Sequence, residues 1–205
     1  MIIFKKLLTI NPFTRSGRQL AECRAVILHY VSVPGQRAAV TWNYFERDCP
    51  LKKRYASAHY IVDLDGDIYH AIPDNEVAFH SGTSALDPVS GKIYTDWARM
   101  KFGRFVSDPA RNSPNNCTIG IELCIDRNGI FTTDTQRAAI QLVANLLQEN
   151  NLTPEDIGHH KQVVGWKDCP APWIKEPKLF EEFKEEVRRK LEINKEEREK
   201  RRKGV

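Results

Sequence analysis

The chain reads as an α/β protein of one domain, a central β-sheet of mixed strand direction flanked by helices. Three features predict this class. β-rich runs alternate with segments of helical periodicity, and one pair of such runs is joined by a tight-turn dipeptide. At 205 residues the chain can fill one well-buried core, whereas two domains would both be small. Strands linked through helices tend to run parallel while a hairpin must be antiparallel, so a mixed sheet follows.

The elements can be justified in order. MIIFKKLLTI at the start is apolar, but Asn11-Pro12 ends it before it reaches the length of a signal-peptide core. Synthesis in the cytoplasm without a signal peptide is therefore expected. Arg24-Ala25-Val26-Ile27-Leu28-His29-Tyr30 is a buried strand running up to a histidine, and Ser32-Val33-Pro34-Gly35 is a loop. A helix is expected from Arg37 to about Glu46. AHYIVDLDGDIYHAIP is a β-hairpin around Asp65-Gly66. Residues 84–116 contain Pro88, Pro109 and Pro114 and show no periodicity, which marks a functional or mobile stretch.

TIGIELC, residues 118–124, is a further strand, with Ile119, Ile121 and Leu123 on one face and Thr118, Gly120, Glu122 and Cys124 on the other. Thr133-Asp134-Thr135-Gln136 has the pattern of a capping box, and Ala139, Ile140, Val143, Leu146 and Leu147 form an apolar stripe behind it. Residues 134–150 are accordingly a helix. Phe180, Phe183, Val187 and Leu191 define a last helix that packs on the body. From Lys195, KEEREKRRKGV has no apolar residue before its final valine and is expected to be a solvated or frayed helical tail.

Composition narrows the function classes. With 41% hydrophobic and 28% charged residues the chain is globular rather than disordered. A net charge of +4 is too small to argue for nucleic-acid binding, though it favours approach to an anionic polymer such as a cell wall. No run reaches the roughly 18 apolar residues of a membrane span. Five cysteines at scattered spacings do not form a disulfide framework.

The chemistry concentrates in GHHKQVVGWKDCPAP, residues 158–172. Two adjacent histidines and a cysteine in one short stretch suit zinc, and a catalytic zinc site takes three protein ligands with one position left open. Among the remaining histidines, His59 reads as a hydrogen-bonded core residue and His70 as surface or cross-strand packing. His80, in Ala78-Phe79-His80-Ser81-Gly82, suits a pocket wall. His29, where a rigid strand can aim its side chain into a cleft, is the expected third ligand. Glu122 is a carboxylate among apolar strand neighbours, which is costly unless it is paired or used.

Taken together, ILHY, SAHYIVDLDGDIYHAIP, AFHSG, NNCTIGIEL and GHH…KDCP resemble, in this order, the zinc-dependent N-acetylmuramoyl-L-alanine amidases of the type-2 amidase family. Phage lysozymes, autolysins, recycling amidases and peptidoglycan recognition proteins share that family. The resemblance covers residues 20–175 and implies a zinc amidase catalytic domain over residues 1–192 with a charged tail over 193–205. It implies Zn2+ held by His29, His159 and Cys169. The step to Cys169 is ten residues from His159 and nine from His160, and His159 is preferred because a Gly-His start and a ten-residue step occur in the family.

On the same resemblance Glu122 is the catalytic base, since Ala58 stands where other members carry a tyrosine, and Lys167 stabilises the oxyanion. His80, Tyr94 and Trp97 are expected to bind substrate, the last two from a groove wall formed by residues 84–116. Peptidoglycan or a muropeptide is the expected partner, for a monomer released to the wall in the manner of a phage lysin. A non-catalytic peptidoglycan binder and a cytoplasmic anhydro-muropeptide amidase are the alternatives.

Overall fold

Six strands pair into one sheet and two into a separate ribbon. The computed structural model describes residues 1–109 and 112–203. In chain order the strands are β1 (Ile3–Lys5), β2 (Arg15–Gln19), β3 (Ala25–Tyr30), β4 (Tyr60–Val62), β5 (Ile68–His70), β6 (Glu76–Ala78), β7 (Thr118–Leu123) and β8 (Ile157–His159). The main sheet has the order β1-β5-β4-β7-β3-β8, and β2 pairs with β6. Strands β4, β7, β3 and β8 are mutually parallel, while β5 runs antiparallel to β4 as the Asp65-Gly66 hairpin predicts. The mixed sheet follows.

Because β4, β7, β3 and β8 are parallel, paired residues point to the same side. Val26, Leu28, Ile119, Ile121, Leu123, Val62 and Ile157 share one face and one core with the helices α5 (Thr133–Glu149), α7 (Ala171–Lys175) and α8 (Pro177–Lys203). From those helices come Ala139, Leu142, Val143, Leu146, Leu147, Trp173, Phe180, Phe183 and Val187. Each fully buried Leu, Val or Phe contributes roughly 1.5–3 kcal/mol, so this face is the main source of the sheet's stability.

The N-cap of α5 is Thr132, one residue earlier than the sequence pattern suggests, since its hydroxyl accepts from the Thr135 backbone N–H at 3.0 Å. The Thr132 hydroxyl also donates to the carbonyl of Leu64, which ties the helix start to the hairpin and fixes the earlier cap.

The helix expected over 37–46 is α1 (Ala38–Asn43), which continues through a π-helical turn at Tyr44–Asp48 into α2 (Cys49–Leu51). Within the segment expected to lack structure lie α3 (Asp96–Phe102) and α4 (Arg104–Ser107), and α6 (His160–Val164) follows β8 directly. Helix α8 crosses the expected boundary at residue 193 without a break and reaches Lys203, so the charged tail is helical; residues 204 and 205 lie outside the described residues. All five cysteines are free thiols. No helix among the described residues is long and apolar enough to cross a membrane.

Candidate active site

Opposite the helix-packed face, β3 presents Ala25, Ile27 and His29 and β7 presents Thr118, Gly120 and Glu122, with His29 directly beside Glu122 in register. His29 is buried, as its place near the end of a fully buried strand requires. Its Nδ1 faces two other donors. His160 Nδ1 lies 3.0 Å away and Cys169 Sγ lies 3.8 Å away, and the ligand atoms of the three residues all fall within 4.8 Å of one another.

His159 is not the second member of this cluster, and strand alternation is the reason. In the parallel register His159 pairs with Leu28 and therefore points to the helix-packed side, where its ring meets Phe180 at a centroid distance of 4.8 Å. There it caps α6, its Nδ1 accepting from the Gln162 backbone N–H at 3.3 Å while Gln162 Oε1 accepts from its own N–H. One residue further on, the chain has turned into α6 and His160 reaches the His29 side. Of the two adjacent histidines it is therefore His160, and not the expected His159, that lies with His29 and Cys169.

Cys169 comes to the cluster on the loop that follows α6. The loop is held by backbone bonds from Lys161 N–H to the Cys169 carbonyl at 3.1 Å and from Cys169 N–H to the Lys167 carbonyl at 2.7 Å. An ion pair between Lys161 and Asp168 closes the loop, in keeping with a loop-fixing Asp168.

Burial dominates the electrostatics. It pushes His160 down to about 3 and His29 well below the usual histidine range, with the neighbouring imidazoles and Lys167 adding to the effect. Both rings are neutral, the form that ligates a metal. The same burial pushes the Cys169 thiol up to about 12, against a hydrogen bond from the Tyr30 backbone N–H that favours the thiolate. Two neutral imidazoles and a thiol therefore converge with no countercharge among them. The set fits zinc in its donors, in their number and in leaving a fourth position open.

Glu122 stands beside this cluster with Oε2 buried and without a hydrogen-bond partner. Burial pushes its carboxyl up to about 8, and the charge of Lys167 partly opposes the rise. Lys167 itself is exposed on the Cys169 loop. An unpaired buried carboxylate is the expected condition of a group kept for proton transfer rather than for structure. Ala58, which stands where the family resemblance puts a tyrosine in other members, is fully buried in the apolar core.

The other expected site residues are placed differently. His80, half-buried, lies against the far nitrogen of His29, with its Nδ1 3.0 Å from His29 Nε2. Tyr94 is 2% exposed, packed with Ala98, Phe102, Phe105, Val106, Ala25, Ile27, Cys117, Val163 and Val164, so its ring offers no face to a sugar. Trp97 packs at the edge of the same cluster over Gly158, where a Cβ would come within 2.5 Å of the indole.

In residues 84–116, apart from 110 and 111, which lie outside the described residues, Tyr94 is thus buried and Trp97 half-buried beside the strand and helix that carry His29 and His160. The segment also braces the helix that carries His160: Thr95 N–H donates to the Val163 carbonyl at 3.1 Å, the Thr95 hydroxyl donates to the Gln162 carbonyl, and Lys101 pairs with Asp156.

His59 is the hydrogen-bonded core histidine that its sequence context predicts, bonded to the Glu76 carbonyl and to the Gly120 N–H. His70 stacks across the hairpin on Tyr60. Thr118 and Gly120, which sequence reasoning left out of the site, touch His80 from the strand that carries Glu122. The alternation Thr-Gly-Glu on one face of TIGIEL is the signal that could have found them.

Comparison with known proteins places this geometry. The family profile described as N-acetylmuramoyl-L-alanine amidase matches residues 19–172. A probable N-acetylmuramoyl-L-alanine amidase of Bacillus licheniformis is 30% identical over 185 residues, covering 90% of this chain and 47% of that protein. The N-acetylmuramoyl-L-alanine amidase CwlL of the same organism is 31% identical over 186 residues, covering 90% and 46%. The chain thus spans about half the length of the curated relatives it matches.

Among solved structures, a mutant endolysin from Bacillus subtilis aligns with a TM-score of 0.66 at 22% identity, over 91% of this chain and 99% of that one. The Staphylococcus aureus hydrolase AmiA aligns with a TM-score of 0.65 at 12% identity, over 95% and 85%. At these identities the likeness is one of fold.

Proposed function

Because the chain belongs to the N-acetylmuramoyl-L-alanine amidase family, we propose that it hydrolyses the amide between the lactyl group of N-acetylmuramic acid and L-alanine in peptidoglycan, using zinc held by His29, His160 and Cys169. The observation that carries this reading is the convergence of three buried donors beside a carboxylate whose Oε2 is buried and without a hydrogen-bond partner, on one face of the sheet. When bound, zinc supplies Lewis-acid polarisation of the scissile carbonyl and acidifies the attacking water.

The chain's own residues do the rest. Glu122 accepts a proton from the water as its oxygen bonds to the carbonyl carbon, then returns it to the alanine nitrogen as the C–N bond breaks. Lys167, exposed two residues before Cys169, lowers the cost of ionising Glu122 and offers its ammonium to the oxygen that gains negative charge. Burial of His29, His160 and Cys169 holds the donors rigid and dry. A purely binding role has no use for an uncompensated carboxylate at this spot, so the catalytic reading is preferred. The cell wall is then the site of action.

The test is direct. Purified protein is incubated with bacterial walls, with and without a zinc chelator, and newly exposed L-alanine amino groups are counted. Chelator-sensitive release supports the reading. Clearing without new alanine amines, or no release by zinc-loaded protein, overturns it.

A further inference from the structure

The polarity of one hydrogen-bond chain behind the donor cluster can be worked out from its end. His29 turns Nδ1 toward His160 and Cys169, so a lone pair for a cation must sit on that nitrogen. In a neutral ring the proton is then on Nε2, which lies 3.0 Å from His80 Nδ1. His80 must accept there and carry its own proton on Nε2, which lies 3.1 Å from the Thr118 hydroxyl and 3.4 Å from the Thr118 carbonyl. The Thr118 hydroxyl in turn donates to the Pro114 carbonyl at 2.8 Å. A carbonyl can only accept. The direction of every bond back to His29 is therefore compatible with one tautomer of His29, the one with a free Nδ1.

The same ring is fixed in place by its surroundings. A Cβ on Gly120 would come within 2.5 Å of His80 Cγ, so the imidazole occupies the space that a side chain on β7 would otherwise fill. Its ring meets that of His29 edge to face, at 90° and a centroid distance of 5.1 Å. The backbone is pinned as well, because Asn115 Oδ1 accepts from the N–H groups of His80, Ser81 and Gly82 at 3.2, 2.8 and 3.1 Å.

We propose that His80 is a positioning residue for the metal centre: together with Thr118 it holds His29 in the tautomer and orientation that ligate through Nδ1. This rests on the zinc reading above. It assigns His80 a role behind the metal ligand, where the sequence suggested contact with substrate. Partners of this kind to a ligating histidine typically change metal affinity 10–100-fold when removed.

The experiment measures zinc affinity by competition with a chromophoric chelator, alongside the ¹⁵N shifts of the His29 ring. Its subjects are the wild-type chain, His80→Ala, His80→Gln and Thr118→Val. His80→Ala should weaken zinc on the order of 10–100-fold and leave the metal-free His29 ring as a mixture of tautomers. His80→Gln, whose amide oxygen can still accept, should retain most of the affinity. Thr118→Val removes one remote hydroxyl and should shift affinity in the same direction by less, which keeps the test decisive if His80→Ala fails to fold.

Unchanged zinc affinity and an unchanged His29 tautomer in all three variants would overturn the proposal, as would a raised KM with zinc binding intact, the result of a substrate contact. If wild-type protein takes up no zinc, the proposed function fails instead. Wild type that binds zinc and cleaves walls, with variants that bind as tightly, removes only the role of His80.

Discussion

Replacing Glu122 with glutamine should make the metal-free protein more stable in alkali while it destroys turnover. Burial holds the Glu122 carboxyl at about 8 in the fold, against the ordinary glutamate value of 4.5 that applies once the chain unfolds. Between those values the unfolded chain has released a proton that the native state keeps, so stability falls as pH rises, by about 1.4 kcal/mol for each pH unit. The cost of the carboxyl is near zero below 4.5, roughly 3 kcal/mol at pH 7 and roughly 5 kcal/mol above pH 8.

Glutamine has the same shape and does not titrate, so it escapes this dependence. The assay is urea unfolding of both proteins in excess chelator at pH 4.5, 7 and 9. With a slope of about 2 kcal/mol per molar urea, the advantage of the variant should widen by roughly 2 M in midpoint across the series. A fixed offset from an unpaired amide would be the same at every pH, and the widening is what tests the reasoning. A constant difference would refute the buried, uncompensated carboxyl. In the zinc-loaded protein the same variant should lose roughly 10²-fold or more of the proposed turnover, and near-normal rates would remove Glu122 as the base.

His160→Ala should abolish stoichiometric zinc, read by metal analysis after dialysis. His159→Ala should retain zinc and lose about 0.5–2 kcal/mol of stability, as the loss of a helix cap does; the reverse result would restore the ligand expected from spacing. Lys167→Met should lower turnover by roughly 10²–10³-fold with zinc content unchanged, and equal rates would place the lysine outside the chemistry. Tyr94→Ala should cost roughly 3–5 kcal/mol in urea unfolding, the range of a large buried ring, with KM for walls close to the parent's. A raised KM at unchanged stability would return residues 84–116 to the groove.

Strands β3 and β7 were legible from sequence because they are buried apolar runs, and the hairpin of β4 and β5 announces itself with Asp65-Gly66; β1 and β2, largely exposed, and the three-residue β8 gave no such signal. His29 and Glu122 stood out as polar groups in apolar runs, which are costly where they stand, while Cys169 was singled out by its neighbours and by the family resemblance. The choice between His159 and His160 was not settled by spacing along the chain, because a loop can absorb one residue and a strand cannot. Pairing of His159 with Leu28 turns His159 away from His29, which favours His160, and that register belongs to tertiary structure.

Tyr94, Ala98, Phe102 and Phe105 are spaced by four, four and three, a helical stripe that was there to be found. Gly103 ends α3 at a positive φ of 51° within that stripe, so neither α3 nor α4 runs long enough for the period to stand out. The contact of His80 with His29 was not legible, because it depends on the side chain that Gly120 lacks.

Strand β7 shows how a fold of this size can host so polar a centre. Ile119, Ile121 and Leu123 lie in the core with α5 and α8, and that contact keeps the strand in register whatever stands on the other side. The opposite positions are thereby freed from packing duty and take three separate tasks: the Thr118 hydroxyl ends the hydrogen-bond chain, Gly120 leaves room for His80, and Glu122 waits beside the donors. A slip of one residue would exchange the two sets and bury the carboxylate against the helices. The apolar half of the strand thus holds Glu122 beside His29, and the cost of leaving Glu122 unpaired is met by burial on the face where no chemistry occurs.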